Sequence, residues 1–171
     1  MKHRLFTILL AILLSLPLAA ADVMLTDLTD LETDAVRASD KDVPILVMFS
    51  ASYCGYCSIV KDDFLKPMLL SGEYSDKVII RVLEIDGDND IRDIDGKLID
   101  PAEIADRYNV QLTPTLAFVD ADGNELSEKM IGLTTVDFYG GYLDESINRS
   151  LMQIRGNNTL TQTSLTSTPR L

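Results

Sequence analysis

Two thiols carry the chemistry that this sequence can do. Cys54 and Cys57 are the only cysteines in 171 residues. They stand in Ser52-Tyr53-Cys54-Gly55-Tyr56-Cys57, between a continuous apolar run and a helical pattern. Three uses of such a pair are open: to staple a fold, to hold a soft metal, or to exchange electrons with another disulfide. As a staple the pair is poor, because so small a loop removes little entropy from the unfolded chain. As a metal site it is thin. Two thiolates are soft ligands, but the one histidine, His3, lies in the leader and no methionine pair stands nearby. A C-x-x-C at a strand-to-helix junction is the pattern of a redox dithiol. The lack of histidine beyond the leader also excludes a Ser-His-Asp triad, a Cys-His dyad and any histidine-ligated metal.

The elements around the pair follow from periodicity. Leu25, Leu28, Leu31, Ala35 and Val36 recur at helical spacing, which predicts a helix over 27–39 capped by Thr26 or Asp27. Pro44 closes a turn, and 45–49 is continuously apolar, as a central strand covered on both faces must be. Cys54 then opens a helix whose apolar positions run from Ile59 to Leu70, with Pro67 expected to interrupt it. A second strand is expected over 77–86 and a polar, aspartate-rich loop over 87–100. Asp100-Pro101 starts a helix that ends near Asn109. Residues 113–119 and 124–131 form two strands joined by the turn Asp120-Ala121-Asp122-Gly123. A last helix runs over 135–154, and the Asn, Thr and Ser rich stretch 155–171 is expected to be a disordered tail. The order α-β-α-β-α-β-β-α predicts an α/β fold: a central mixed four-stranded sheet with helices on both faces. The first two strands must be parallel, joined by a right-handed crossover through the Cys54 helix.

Residues 1–21 have the pattern of a secretory signal peptide. A basic start, Met1 to Arg4, leads into an apolar run over 5–16, and Ala19-Ala20-Ala21 supplies the cleavage site before Asp22. The expected domain spans 22–154. Removing Lys2 and Arg4 with the leader leaves 13 basic residues against 27 acidic ones, a formal charge of −14. Such a surface repels nucleic acid and anionic membrane, and no further apolar segment is long enough to insert into a membrane. Asp86-x-Asp88-x-Asp90 invites a calcium reading, but Ile91 and Lys97 stand where an EF-hand loop needs glycine and glutamate, so no metal site is expected.

Three motifs together resemble the thioredoxin superfamily over roughly 44–154. They are Cys54-Gly55-Tyr56-Cys57 after the first strand, Thr113-Pro114-Thr115 opening the third, and Asp120-Ala121-Asp122-Gly123 at the hairpin with Gly132 beyond it. The sequence looks most like the bacterial periplasmic branch, the SoxW-like thioredoxins and the catalytic domains of DsbC-type isomerases. The resemblance implies a thioredoxin-like fold and a cis Pro114 beside the cysteines. It makes Cys54 and Cys57 the catalytic pair, Tyr56, Thr113 and Pro114 the substrate-binding surface, and Tyr53 and Gly55 the rest of the active-site loop. At the first turn of a helix, unpaired amides favour a thiolate, so Cys54 is the expected nucleophile and Cys57 the residue that resolves the mixed disulfide. The family's buried aspartate and its lysine partner are replaced by Met48 and Val82. Glu84 and Lys61 are candidates for handling a proton near Cys57, beside the plainer alternative of surface roles. The expected function is an exported, periplasmic thiol-disulfide oxidoreductase acting on protein disulfides, in the reductase or isomerase direction, with no cofactor and a membrane-bound thiol electron donor as partner. A soft-metal carrier and a non-catalytic binding module of the same fold are the alternatives.

Overall fold

A computed structural model of the chain describes residues 24–166, with side chains through residue 156. The expected signal peptide over 1–21 lies outside the described residues. Strand β1, Ile45–Ser50, is buried at all six positions and stands inside a four-stranded sheet, between β2, Ile79–Glu84, and β5, Thr115–Val119, with β6, Met130–Ile131, on the far side of β5. Its continuous apolarity has this cause: helices cover both faces, so neither can be polar. Strand β2, Ile79–Glu84, runs parallel to β1, with Ile45 opposite Ile79 and Ser50 opposite Glu84. The two strands nearest the carboxyl end, β5 and β6, are antiparallel to their neighbours, so the sheet is mixed.

Helix α1, Leu31–Lys41, starts later than its periodicity predicts and is capped by Asp30, whose carboxylate accepts from the Thr33 N–H at 2.8 Å. Residues 26–28 are instead stitched to the outer side of β2. The Leu28 N–H donates to the Val82 carbonyl at 2.7 Å, and the Val82 N–H donates to the Thr26 carbonyl at 3.1 Å. Leu28 thereby enters the core on the α1 face, which satisfies the same apolar spacing without a helix. One charged pair crosses from this helix to the sheet. Arg81 Nε and Nη2 each donate to Asp34 at 2.6 Å, and both side chains are largely out of water.

The helix after the cysteines is one continuous rod in three pieces: α2, Gly55–Ile59, a π-helical turn, Val60–Leu65, and α3, Lys66–Ser71. Pro67 does not break it. Inside regular α-helix its ring would clash with the carbonyl four residues back and leave a hydrogen bond unmade. The wide turn before it carries the chain past that conflict, with the Lys66 N–H reaching the Lys61 carbonyl, five residues back. Gly72, at φ 71°, closes α3.

The acidic loop is more ordered than its composition suggests. It holds a small hairpin, β3, Ile91–Arg92, and β4, Leu98–Ile99. Arg107, at the end of helix α4, Pro101–Arg107, donates to both oxygens of Asp93 at 2.8 and 2.5 Å. These bonds hold the Asp93 carboxyl below the usual carboxylate range. A depressed folded-state value means that this contribution to stability is complete above the ordinary aspartate value and drains away as pH falls below it. Asp93→Asn is therefore expected to be less stable than the parent at about pH 7, with the gap narrowing at about pH 2.5. Urea unfolding at the two pH values checks this, and a gap of the same size at both would refute it.

Strand β5 is Thr115–Val119 and strand β6 is Met130–Ile131. The fourth strand is thus far shorter than the expected 124–131. Its earlier part touches β5 only through a bridge between Glu125 and Val119, because the turn around Asp120 and Asn124 takes up the intervening backbone. Helix α5, Val136–Thr166, continues past the expected end at Ile154, into the stretch expected to be a disordered tail. Its packed first half supplies the costly nucleus, and extension then adds one bond per residue. Helices α1 and α4 cover one face of the sheet, over Ile45, Val47 and Phe49. The cysteine helix and α5 cover the other, over Leu46 and Met48. No helix among the described residues is long and apolar enough to cross a membrane.

Candidate active site

The carboxyl end of β1 delivers the cysteines. Ser50 is the last strand residue, and the Cys54 N–H turns back to the Ala51 carbonyl at 3.0 Å. Cys54 is the N-cap of α2, and its sulfur accepts from the Cys57 N–H at 3.1 Å. The two cysteines are joined in a disulfide. Their surroundings differ. Cys57 is fully buried in the apolar cluster beneath the helix, whereas Cys54 is half-buried. Tyr53 and Tyr56, on either side of Cys54, are 80% and 65% exposed. Gly55 has open space where a side chain would stand.

Topology brings the Thr113-Pro114 segment to the same end of the sheet. Thr115, the first residue of β5, pairs with Phe49, next to the last residue of β1. The Thr113–Pro114 bond is cis. The turn is held from both sides. The Thr115 hydroxyl donates to the Leu112 carbonyl at 2.8 Å, and the Gly132 N–H donates to the Pro114 carbonyl at 2.7 Å. Leu112 and Ile131, flanking this turn, are about half exposed. The rim of the site therefore carries apolar and aromatic side chains, with Thr113 partly exposed and Pro114 buried between them.

A second brace escaped the sequence reading. Asp86 accepts from the Ser52 N–H at 3.0 Å and from the Ser52 hydroxyl at 2.6 Å. The Ile85 N–H donates to the Ser50 carbonyl one step earlier, so the parallel ladder of β1 and β2 runs on into the active-site loop with a carboxylate in place of the next backbone acceptor. These bonds hold the Asp86 carboxyl below its ordinary value. The constant offset of 34 between paired residues of the two strands is the signal that could have found it, once the register was known.

Beneath the cysteines the sheet is apolar at Met48 and Val82. Polar groups begin one step higher. Lys61 Nζ donates to Glu84 Oε1 at 3.0 Å and to Ser50 Oγ at 3.3 Å. Among the described residues no group of three or more His, Cys, Asp or Glu is placed to hold a metal ion.

The family model described as a thioredoxin-like domain matches residues 31–146. A comparison with curated proteins finds no match. Among solved structures, the chain is similar to the DsbH oxidoreductase at 20% identity, covering 78% of this chain and 90% of that one with a TM-score of 0.52. It is also similar to mitochondrial thioredoxin 3 of Saccharomyces cerevisiae in its oxidised form, at 22% identity over 70% and 94% of the two chains, TM-score 0.48.

Proposed function

The chain belongs to the thioredoxin-like family, and on that premise we propose that it is an exported thiol-disulfide oxidoreductase that reduces or isomerises protein disulfides in the periplasm. One observation carries the chemistry. Cys54 and Cys57 form a disulfide at a helix start in which Cys54 is half-buried and Cys57 fully buried. In the reduced protein, the amides at the helix start favour a thiolate at Cys54. That thiolate attacks a substrate disulfide, forms a mixed disulfide and releases one substrate thiol. Cys57 then attacks Cys54, releases the second thiol and restores the disulfide seen in this structure.

Tyr56, Thr113 and Pro114 would receive the substrate. The exposed Tyr56 ring offers apolar surface beside Cys54, and the Thr113 backbone offers strand-like pairing to an extended segment. Export rests on the leader pattern over 1–21. A membrane-bound thiol donor would recharge the pair in an oxidising compartment, where no soluble reductant keeps thiols free.

Direction is read by trapping thiols in intact cells. A pair found mostly reduced supports the reductase or isomerase direction, and a pair found mostly oxidised overturns it. The activity is read with insulin and dithiothreitol. Accelerated reduction supports the enzyme. Tight zinc or copper binding without turnover would overturn it in favour of a carrier.

A further inference from the structure

The turn that delivers Cys54 is anchored from outside by a single side chain. Residues 51–54 form a β-turn, closed by the Cys54 N–H on the Ala51 carbonyl at 3.0 Å, with Ser52 and Tyr53 at its corners. Ala51 is buried, but both corner residues are exposed. A corner standing in solvent has little packing to fix it. Asp86 supplies the hold. The Ser52 N–H lies 3.0 and 3.1 Å from its two carboxylate oxygens, and the Ser52 hydroxyl donates to the second at 2.6 Å. Among the described residues no other side chain from outside the turn bonds to it. Asp86 is itself placed by a tight turn after β2. There the Gly87 N–H donates to the Glu84 carbonyl at 3.1 Å, and a Cβ on Gly87 would meet that carbonyl at 3.1 Å. The turns that follow β1 and β2 thus face each other and share one carboxylate.

We propose that Asp86 is a positioning residue for Cys54, holding through Ser52 the turn that sets the nucleophilic sulfur against the Cys57 N–H. This rests on the thiol-disulfide reading above. Cys54 caps α2 at φ −90° and ψ 96°, and in that conformation its sulfur accepts from the Cys57 N–H at 3.1 Å. Once the disulfide is reduced, the same bond favours the thiolate, which is the form that attacks. The chain enters Cys54 from the turn, so the turn sets where the sulfur lies. When the Ser52 corner drifts, the sulfur moves off the amide and the thiolate loses that support. A displacement on the order of 1 Å is enough to matter at a reacting atom.

The charge of Asp86 works in the opposite sense. A carboxylate beside a thiolate disfavours it, but Asp86 is exposed, and water and salt screen it. Of the other acids at this end of the sheet, Asp88 and Asp90 stand in solvent and Glu84 is paired with Lys61. Position and charge therefore give opposite signs. Removing Asp86 slows Cys54 if the carboxylate acts by holding the turn, and quickens it if the carboxylate acts by its charge.

The test follows alkylation of the reduced protein by iodoacetamide as a function of pH, with peptide mass spectrometry assigning the modified sulfur. In Asp86→Ala, alkylation of Cys54 is expected to fall about tenfold near about pH 6 and to rejoin the parent near about pH 9.5, where the thiol ionises without help. Asp86→Asn keeps an acceptor oxygen for Ser52 and should stay within about threefold of the parent throughout. Ser52→Ala keeps the amide bond, loses the hydroxyl bond and should fall between the two. Thermal melting shows that the variants are folded. Faster alkylation in Asp86→Ala overturns the proposal in favour of a charge effect. Parent-like rates at every pH overturn it as well, and so does equal slowing at both ends of the range, which marks a general distortion. Asp86→Asn as slow as Asp86→Ala would show that the acceptor is not what matters, and would overturn it too. Insulin reduction by the parent separates the two levels. A parent that reduces no protein disulfide overturns the thiol-disulfide reading itself, whereas a competent parent with an unaffected Asp86→Ala overturns only the role of Asp86.

Discussion

Cys54→Ser is expected to lower turnover of a protein disulfide to the uncatalysed background, a fall on the order of 10³-fold or more. Cys57→Ser is expected to stop half-way. The reason lies in the different access to the two sulfurs. Cys54 is half-buried at the rim and caps the helix, so it can meet an external disulfide. Cys57 has no exposed surface and can meet only Cys54. Removing the first leaves no nucleophile that a substrate can reach. Removing the second leaves the attack intact but denies the adduct its exit, so substrate accumulates bound to Cys54. A non-reducing gel of Cys57→Ser incubated with insulin should show that adduct, and dithiothreitol should dissolve it. Normal turnover in Cys54→Ser would refute the mechanism outright. An adduct in Cys54→Ser and none in Cys57→Ser would reverse the assignment of the two sulfurs.

The second large effect concerns stability. Arg81→Met should destabilise the protein by about 3 kcal/mol, the lower part of the range for breaking a buried ion pair. The Asp34 side chain is only 5% exposed and the Arg81 side chain 14%. Coulomb attraction and two charge-assisted bonds offset the cost of holding both charges out of water. Without Arg81, Asp34 keeps only Arg37, 3.6 Å away and mostly in solvent. That fallback argues for the lower part of the range. The double replacement Asp34→Leu with Arg81→Met removes both charges together and should recover most of the loss, since apolar substitutes for a buried pair are often neutral or better. Urea midpoints of the parent, the single and the double variant decide the matter. A double variant no more stable than the single would show that the pair matters for packing and not for charge.

The sequence made the architecture legible where burial and period agree. The unbroken apolarity of Ile45–Phe49 could only be a covered strand, and Asp100-Pro101 could only start a helix. The cysteine pair and Thr113-Pro114 were legible because rare residues at fixed spacing carry their own meaning. What escaped depended on partners distant in the chain. Leu25, Leu28 and Leu31 satisfy a helical face and equally a stitched edge, and only the pairing with Val82 decides between them. Ile91 and Ile99 are too few to announce a hairpin among aspartates, and two-residue strands leave no period to detect. Ser50 and Asp86 have ordinary types at ordinary places. Their roles arise from the register of β1 against β2, which local pattern does not encode.

The wide turn at Val60–Leu65 bears on how this helix tolerates change in length. A π turn is geometrically an α-helix that has taken in one residue while keeping both its ends. Deleting a single residue between 61 and 64 would keep Cys57 and Leu65 facing the sheet, but would return Pro67 to the regular-helix conflict that the wide turn avoids. Forcing regular α geometry on the full length would instead rotate everything beyond by about 100° and carry Leu65, Met68 and Leu69 off the core they pack against. Phe64, whose ring meets Tyr139 on α5 at 4.8 Å, would turn away with them. The extra residue is thus a slack element held in place from both ends. The redox pair anchors one end and the neighbouring helix the other.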